Sequence, residues 1–457
     1  MAIDTRLDGL RQSVACEVIA PSDSAYDEAR TTFNGTIDRR PAAVIRPRSP
    51  GEVGHAVRWA RDAGLPIAIR GGGHSVAGHA VADGAVVIDL LRLRDVAVDP
   101  ERRRAMVGGG ALWEDVDRAT VAHDLATPGG TFGDTGVGGL TLGGGIGFLM
   151  GTAGLTCDNL VRAEVVTADG SIVVAGEDGD SELLWALRGG GGNFGVVTSF
   201  EFALHPLGAL YGGYLSVPIG AAADALGVLA TMAADTPREL VLFAGGPSTI
   251  DDAPDSPVVI NLTVVYQGTA DEAERSIQPL RSLPVLQDGL APRSYIEIQE
   301  MSGRLPFGLR NYWKGQFIRD LDGTAIDASV AAMADGPGSS SFLLLEAITG
   351  VAREEPPGGA AFGQRAARWN ASAIGIWEDP ADDAVQIAWV RDYVDALRPV
   401  SLTGAGYGNY APVDETAERV RASFGNERFE RLQRVKRRYD PDNVFRFNHN
   451  IPPSPPD

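Results

Sequence analysis

The chain has 457 residues, 44% apolar and 22% charged, a balance that excludes intrinsic disorder and allows about three domains or lobes. A net charge of −20 with no basic stripe argues against nucleic-acid binding, and two cysteines cannot build a disulfide framework or a four-ligand zinc site. The 57 glycines, well above the usual share of about 7%, cluster without a G-X-Y period, which excludes collagen and suggests loops lying against a ligand.

The first 30 residues are charged and lack an apolar core, so no secretory signal is read and a cytoplasmic location is expected. AAVIRP reads as a strand. SPGEVGHAVRWARDAGL reads as a helix entered at Ser49-Pro50 and stopped at Gly64, and PIAIR is the next strand, running into GGGHS. AVVIDL and VGGGALWEDVDRATVAHDL repeat the strand, glycine turn and helix theme. The uncharged stretch Thr135–Cys157 is long enough to span a membrane, but nine of its 23 residues are Gly, so it reads as buried loop and turn. VRAEVVTADGSIVVAG is a hairpin turning at Ala168–Ser171, SELLWALRG a helix and NFGVVTSFEFAL a strand.

The glycine clusters stop after His205-Pro206. Strands LVLFAGG, VVINLTVVYQG, SFLLLEAITG and ASAIGIWED then alternate with helices DEAERSIQPLRSL and ADDAVQIAWVRDYVDALRP, which suggests an antiparallel sheet covered by helices. Glycine and aromatic residues return at GAGYGNY, and the chain ends in a helix, a DPDN turn and a Pro-rich tail. The basic run Arg431–Arg438 reads as a solvated helix face. The expected organisation is one Gly-rich unit made of residues 1–206 and 405–457, with 207–404 as an inserted lobe.

Several short motifs fail on context. Gly190, Gly192 and Gly195 satisfy G-x-G-x-x-G, but a helix precedes and a strand follows, the reverse of a dinucleotide fingerprint. Gly73-His74-Ser75-Val76-Ala77 lacks the final Gly of a hydrolase elbow. His74 and His79 lack a neighbouring Cys pair, so no metal is expected. Three successive glycines after a strand, in Arg70–Ser75, do let backbone N–H groups converge on anionic oxygens. Gly129-Gly130-Thr131 and Gly136–Gly147 add further close backbone approach, as a long ligand with phosphates and rings would need.

Together, PIAIRGGGHSVAG, ATPGGTFGDTGVGGLTLGGGIGFLMGTAGLTCDNL, LLWALRGGGGNFGVVTSFEF, YGNY and YDPDNVFRFNHNIPP resemble the berberine bridge enzyme-like flavin oxidases, of the wider vanillyl-alcohol oxidase, or PCMH-type, FAD-binding fold. The resemblance covers nearly the whole chain and is weak in 207–400. It implies an α+β fold, with a two-subdomain FAD domain closed by the C-terminal segment and a substrate lobe built on a large antiparallel sheet. It implies bicovalent FAD, with His74 bonded to the flavin 8α-methyl and Cys157 to C6.

The cofactor contacts expected from the resemblance are Arg70, Gly71, Gly72, Gly73, Ser75, Gly78 and His79 in the first loop. In the second they are Pro128, Gly130, Thr131, Gly133, Thr135, Gly136, Val137, Gly138, Gly139, Leu140, Gly143, Gly144 and Gly147. Asn159 and Leu160 join them beside Cys157, then Gly192, Asn193, Gly195, Val196 and Val197, and finally Asn409, Asn448 and Asn450. Val137 is expected to gate oxygen.

The matching YGNY motif makes Tyr410 the expected base for oxidising a secondary alcohol, sugar or natural product, with hydride passing to flavin N5 and O2 reduced to peroxide. Tyr407 lies beside it. A tyrosine base needs a lowered pKa, and Lys314 is the cation expected to supply it. Glu346, isolated in an apolar strand, is the other candidate. Partners are then a small-molecule substrate and O2, with no nucleic acid or membrane, in a monomer or homodimer. A flavin dehydrogenase with another electron acceptor and an amine oxidase of the same fold are the alternatives.

Overall fold

The computed structural model describes residues 16–251, 255–338 and 340–456, together with 7, 9–11 and 253. Strands β1 (Glu17–Ile19), β2 (Ala43–Arg46), β3 (Ile67–Arg70) and β4 (Val86–Asp89) form one sheet in the order β1-β2-β4-β3. β2 and β3 both run parallel to β4, so a crossover must join them, and the helix Pro50–Asp62 makes it. Ser49 caps that helix by accepting from Glu52 N–H, and Gly64 takes a left-handed φ of 67° just past its end.

The next strands are β5 (Val96–Asp99), β6 (Arg104–Gly108), β7 (Leu125–Ala126), β8 (Leu160–Val166), β9 (Ile172–Gly176), β10 (Val196–Ala203) and β11 (His205–Pro206). Five of them make an antiparallel sheet, β5-β6-β10-β8-β9, while β7 pairs with β11. The helix Ser181–Leu187 buries Leu183, Leu184 and Leu187 in the same core as Val165, Phe200 and Phe202.

The largest sheet is antiparallel. It contains β12 (Leu210–Pro218), β13 (Leu240–Thr249), β14 (Val258–Gln267), β15 (Gln287–Asp288), β16 (Ala291–Arg293), β17 (Arg310–Ile318), β18 (Phe342–Ala347) and β19 (Trp369–Trp377). The order is β15-β12-β14-β13-β18-β19-β17, with β16 also on β12. One face packs on the helices Ala222–Ala234, Gly323–Ala334 and Asp383–Ala396 through Leu215, Leu343, Leu345, Ala371 and Trp377. By the period of two, Phe342, Leu344 and Glu346 point the other way. β17 is an edge strand, and the returning chain covers it: Leu402 N–H donates to Phe317 O, and Phe317 N–H to Ala405 O.

Three local readings change. The Thr135–Cys157 stretch is not all loop. It holds the short helices Val137–Leu142 and Met150–Ala153 and a 3-10 turn Thr156–Asn159, because burial supplies what its glycines lose in helix propensity. DEAERSIQPLRSL is broken into a helix Ala270–Ser276 and a 3-10 turn Gln278–Ser282, since Pro279 has no N–H to continue the ladder. The helix Asn426–Tyr439 is not wholly solvated along its basic run, for Lys436 is fully buried. Among the described residues no helix is long and apolar enough to cross a membrane.

Candidate active site

A long cleft runs between the glycine loops, the inner face of the large sheet and the C-terminal segment. β3 delivers Gly71–Ser75 to it. Gly73 has a φ of 76°, and the turn it permits brings His74 onto the wall. Gly72 and Gly136 meet backbone to backbone: a Cβ on Gly72 would lie 2.5 Å from Gly136 N, and one on Gly136 would lie 2.3 Å from Gly72 N. Two expected loops are thus in contact because neither residue has a side chain.

His74 is held from several sides. Its ring stacks on Phe33 with centroids 5.1 Å apart, and Phe307 stands edge-on at 5.0 Å. Its Nε2 lies 3.9 Å from Asp134 Oδ2. Burial lowers its pKa, and Asp134 works against that shift. A largely neutral imidazole has a free nitrogen lone pair, which a bond to a carbon electrophile requires.

The expected residues divide into wall and support. Gly71, Gly72, Gly73, Ser75, His79, Gly130, Thr131, Thr135, Gly136, Gly138, Gly139, Leu140, Gly143, Gly192, Asn193, Gly195, Val197, Asn409 and Asn448 line the cleft. Others stand behind it. Arg70 donates to Ala29 O, Gly133 O accepts from Glu114 N–H, and Asn159 Nδ2 donates to Ala153 O and Leu155 O. Gly78 packs on Ile37, Gly144 on Phe362 and Gly147 on Gly129. Pro128, Leu160 and Val196 are buried away from the cleft, and Asn450 also lies off its wall.

Three expected residues lie off the cleft wall. Cys157 has no exposure and is not on the cleft wall: its N–H is tied to Gly144 O at 2.8 Å, and its thiol faces Asp158 at 3.6 Å. Burial pushes the thiol pKa well up and Asp158 adds to this, so the thiolate that a C6 attachment would use is disfavoured. Val137 is likewise fully buried behind the wall, its N–H bonded to Ala111 O, so the side chain expected to gate oxygen does not face the cleft. Lys314 shares its face of β17 with Tyr312 and pairs with Glu415 at 3.3 Å, leaving Tyr410 without the expected cation.

Tyr407, Tyr410 and Glu346 do come together. Tyr410 Oη donates to Glu346 Oε1 at 3.1 Å, and Asn370 Nδ2 donates to Glu346 Oε2 at 2.7 Å. Glu346 is fully buried, and that desolvation raises its pKa to about 7 although both hydrogen bonds oppose the shift. Tyr410 is itself pushed well above 10 by burial and by the nearby carboxylate. Tyr407 Oη accepts from Gly145 N–H at 2.8 Å, Ile146 N–H at 3.3 Å and Asn409 Nδ2 at 2.8 Å, which fixes its ring edge-on to Tyr410. These bonds hold the Tyr407 ring against that of Tyr410, with centroids 4.9 Å apart.

Sequence reading missed the surroundings of this group. Trp313, Phe317, Phe342, Leu344 and Ile374 line the cleft, and Trp313 stands edge-on to Tyr410 at 5.6 Å. Asn370, Asp134 and Phe307 were also missed. The missing signal is alternation: a sheet covered on both faces reads as a continuous apolar run, as in FLLLEA.

The wall fits FAD. Its glycines bring backbone close to a ligand, while His79 Nε2 and Asn448 Oδ1, on wall residues, are buried without a protein partner. A glycine-walled cleft with a buried carboxylate bonded to a tyrosine of its wall suits an FAD-linked oxidoreductase, and comparison with known proteins shows that class. An FAD binding domain family model matches residues 41–176, and a berberine and berberine-like model matches residues 406–452. The chain is 33% identical to (R)-6-hydroxynicotine oxidase of Paenarthrobacter nicotinovorans, over 96% of this chain and 97% of that protein. The crystal structure of 6-hydroxy-D-nicotine oxidase from Arthrobacter nicotinovorans superposes with a TM-score of 0.86 at 31% identity, covering 96% and 98% of the two chains. Glucooligosaccharide oxidase from Acremonium strictum, described with a 6-S-cysteinyl, 8α-N1-histidyl FAD, gives 0.86 at 25% identity and 99% and 100% coverage. The chain belongs to the berberine bridge enzyme-like family of FAD-linked oxidoreductases.

Proposed function

We propose that this protein is an FAD-dependent oxidase, using O2 as electron acceptor, that dehydrogenates a small apolar secondary alcohol. Residues 1–206 and 405–457 form its FAD domain and 207–404 its substrate lobe. When bound, FAD supplies the two-electron acceptor for a substrate hydride and passes the electrons to oxygen. The observation that carries the reading is the Tyr410–Glu346 pair at the chemistry end of the cleft.

The proton path follows from its geometry. The Tyr410 hydroxyl gives its hydrogen to Glu346 and keeps lone pairs free for a substrate O–H. A tyrosine with a raised pKa is a poor base alone, whereas a carboxylate near 7 is well matched to neutral pH. Tyr410 therefore takes the substrate proton as it passes its own to Glu346. Asn370 fixes the carboxylate, and Tyr407 and Trp313 fix the Tyr410 ring. Trp313, Phe342, Leu344 and Ile374 favour an apolar body over a sugar, which would leave its hydroxyls unpaired there.

For attachment we propose a single bond through His74, because Cys157 lies off the wall. A second reading, oxidation of an amine, is favoured by one observation: the chain is 33% identical to an (R)-6-hydroxynicotine oxidase, and a nicotine is an amine. Anaerobic mixing with a panel of apolar secondary alcohols and cyclic amines tests both. Bleaching by an alcohol supports the first reading and bleaching by amines alone the second. Bleaching by oligosaccharides alone contradicts both.

A further inference from the structure

The basic run Arg431–Arg438 contains one side chain with a different task from its neighbours. Arg431 pairs with Glu182 and Arg438 with Asp180 at the surface. Lys436 has no exposure, and neither has Asp440 one turn later. Lys436 Nζ donates to Asp440 Oδ2 at 2.6 Å, Asn193 O at 2.8 Å and Phe445 O at 2.8 Å. All three ammonium hydrogens are thereby used. Asp440 also accepts from Val444 N–H at 2.7 Å and Phe445 N–H at 2.8 Å.

A buried ion pair is weak evidence for stability, since well-packed apolar residues of similar volume often do as well or better. The placement of the acceptors supplies another reason for it. Asn193 belongs to the 190–195 loop and Phe445 to the closing segment, and both line the FAD cleft. The same two segments are stitched again beside the ammonium. Asn193 Oδ1 accepts from Ile451 N–H at 3.0 Å, and Asn448 Nδ2 donates to Gly192 O at 3.1 Å. Two stretches of the cleft wall far apart in sequence therefore meet on one nitrogen behind them.

We propose that Lys436 is a positioning residue of the FAD cleft, holding the 190–195 loop and the 445–451 segment at a fixed separation so that the wall is preformed for the cofactor. Asp440 orients the ammonium and neutralises it. Lys436 touches no substrate; it acts through Asn193 and Phe445.

The test uses Lys436→Met and Lys436→Met/Asp440→Asn. The double variant removes the unpaired buried charge while the Asn carbonyl can still accept a backbone N–H. Hydrogen exchange is followed in the full chain as purified, and FAD affinity is measured in a His74→Ala background. Expected for the double variant are at least tenfold faster exchange at 190–195 and 445–451, unchanged exchange in β12–β19, and at least tenfold weaker FAD binding. Unchanged exchange in those two segments, or unchanged affinity, overturns the proposal. Equal acceleration across β12–β19 also overturns it, because the pair then supports the whole fold and not this junction. If His74→Ala still holds flavin irreversibly, only the attachment reading fails, and exchange alone decides the role of Lys436.

Discussion

The Tyr410 hydroxyl, on the cleft wall, and the Glu346 carboxylate, fully buried behind it and 64 positions away in the chain, meet at 3.1 Å. The pairing is set by backbone. Glu346 sits on β18 opposite Asn370 of β19, which holds its second oxygen. Tyr410 arrives on a one-turn 3-10 helix, Gly408–Tyr410, anchored by Tyr407 and Asn409.

The pair implies a pH profile. Glu346 must be deprotonated to receive a proton, and its pKa is about 7. Anaerobic flavin reduction should rise through pH 7 and level off above it, and Glu346→Gln should remove that limb. Stability should move the opposite way. A carboxyl raised by burial favours the fold most below its unfolded value of about 4.3 and loses that contribution as pH rises through about 7. The melting-temperature gain of Glu346→Gln over the unmodified protein should therefore be larger at pH 8 than at pH 4.

Attachment can be read by mass and colour. The intact mass should exceed the sequence mass by one FAD, and acid precipitation should leave the yellow colour in the pellet. His74→Ala should release the colour, and Cys157→Ser should retain it. Retention in His74→Ala with release in the double variant would instead restore the two-point attachment that the sequence suggested.

The contact of Gly72 with Gly136 leaves no room for a methyl group. Gly136→Ala should separate the two loops and reduce the flavin bound per chain at least tenfold, with little change in far-ultraviolet circular dichroism. Normal flavin content would show that these loops can part without cost to the cleft.

Asp158 and Arg365 form a buried ion pair just behind that wall, with an Nη1–Oδ2 distance of 2.8 Å. Asp158→Ala leaves the guanidinium unpaired and should cost about 3–5 kcal/mol of stability, read by denaturant unfolding. Arg365→Met/Asp158→Leu should recover most of that loss.

Much of this site was legible in the chain. The GGGHS loop and the YGNY turn are short contiguous words, so the family resemblance could name His74, Tyr407 and Tyr410, although the bonds that hold Tyr407 and Asn409 reach across the fold to Gly145 and Leu140. Glu346 stood out because a carboxylate in FLLLEA has no local partner. What was hidden depends on register. Lys314 and Trp313 are neighbours in sequence, but pleating sends Trp313 to the cleft and Lys314 to Glu415. Cys157 lies in a motif-like loop, yet the short helices before it turn its thiol toward Asp158. Lys436 reads as one more cation on a basic helix until Asn193 and Phe445 arrive from distant segments.

The most direct measurement is anaerobic flavin reduction in Tyr410→Phe and Glu346→Gln, followed by reoxidation in air. Loss of a general base costs on the order of a hundredfold to ten-thousandfold. Both variants should slow bleaching by about that factor, and a double variant should be little worse than either, since the two act as one relay. Reoxidation should be nearly unchanged. Bleaching at the unmodified rate in both variants would contradict the assignment of proton transfer to this pair.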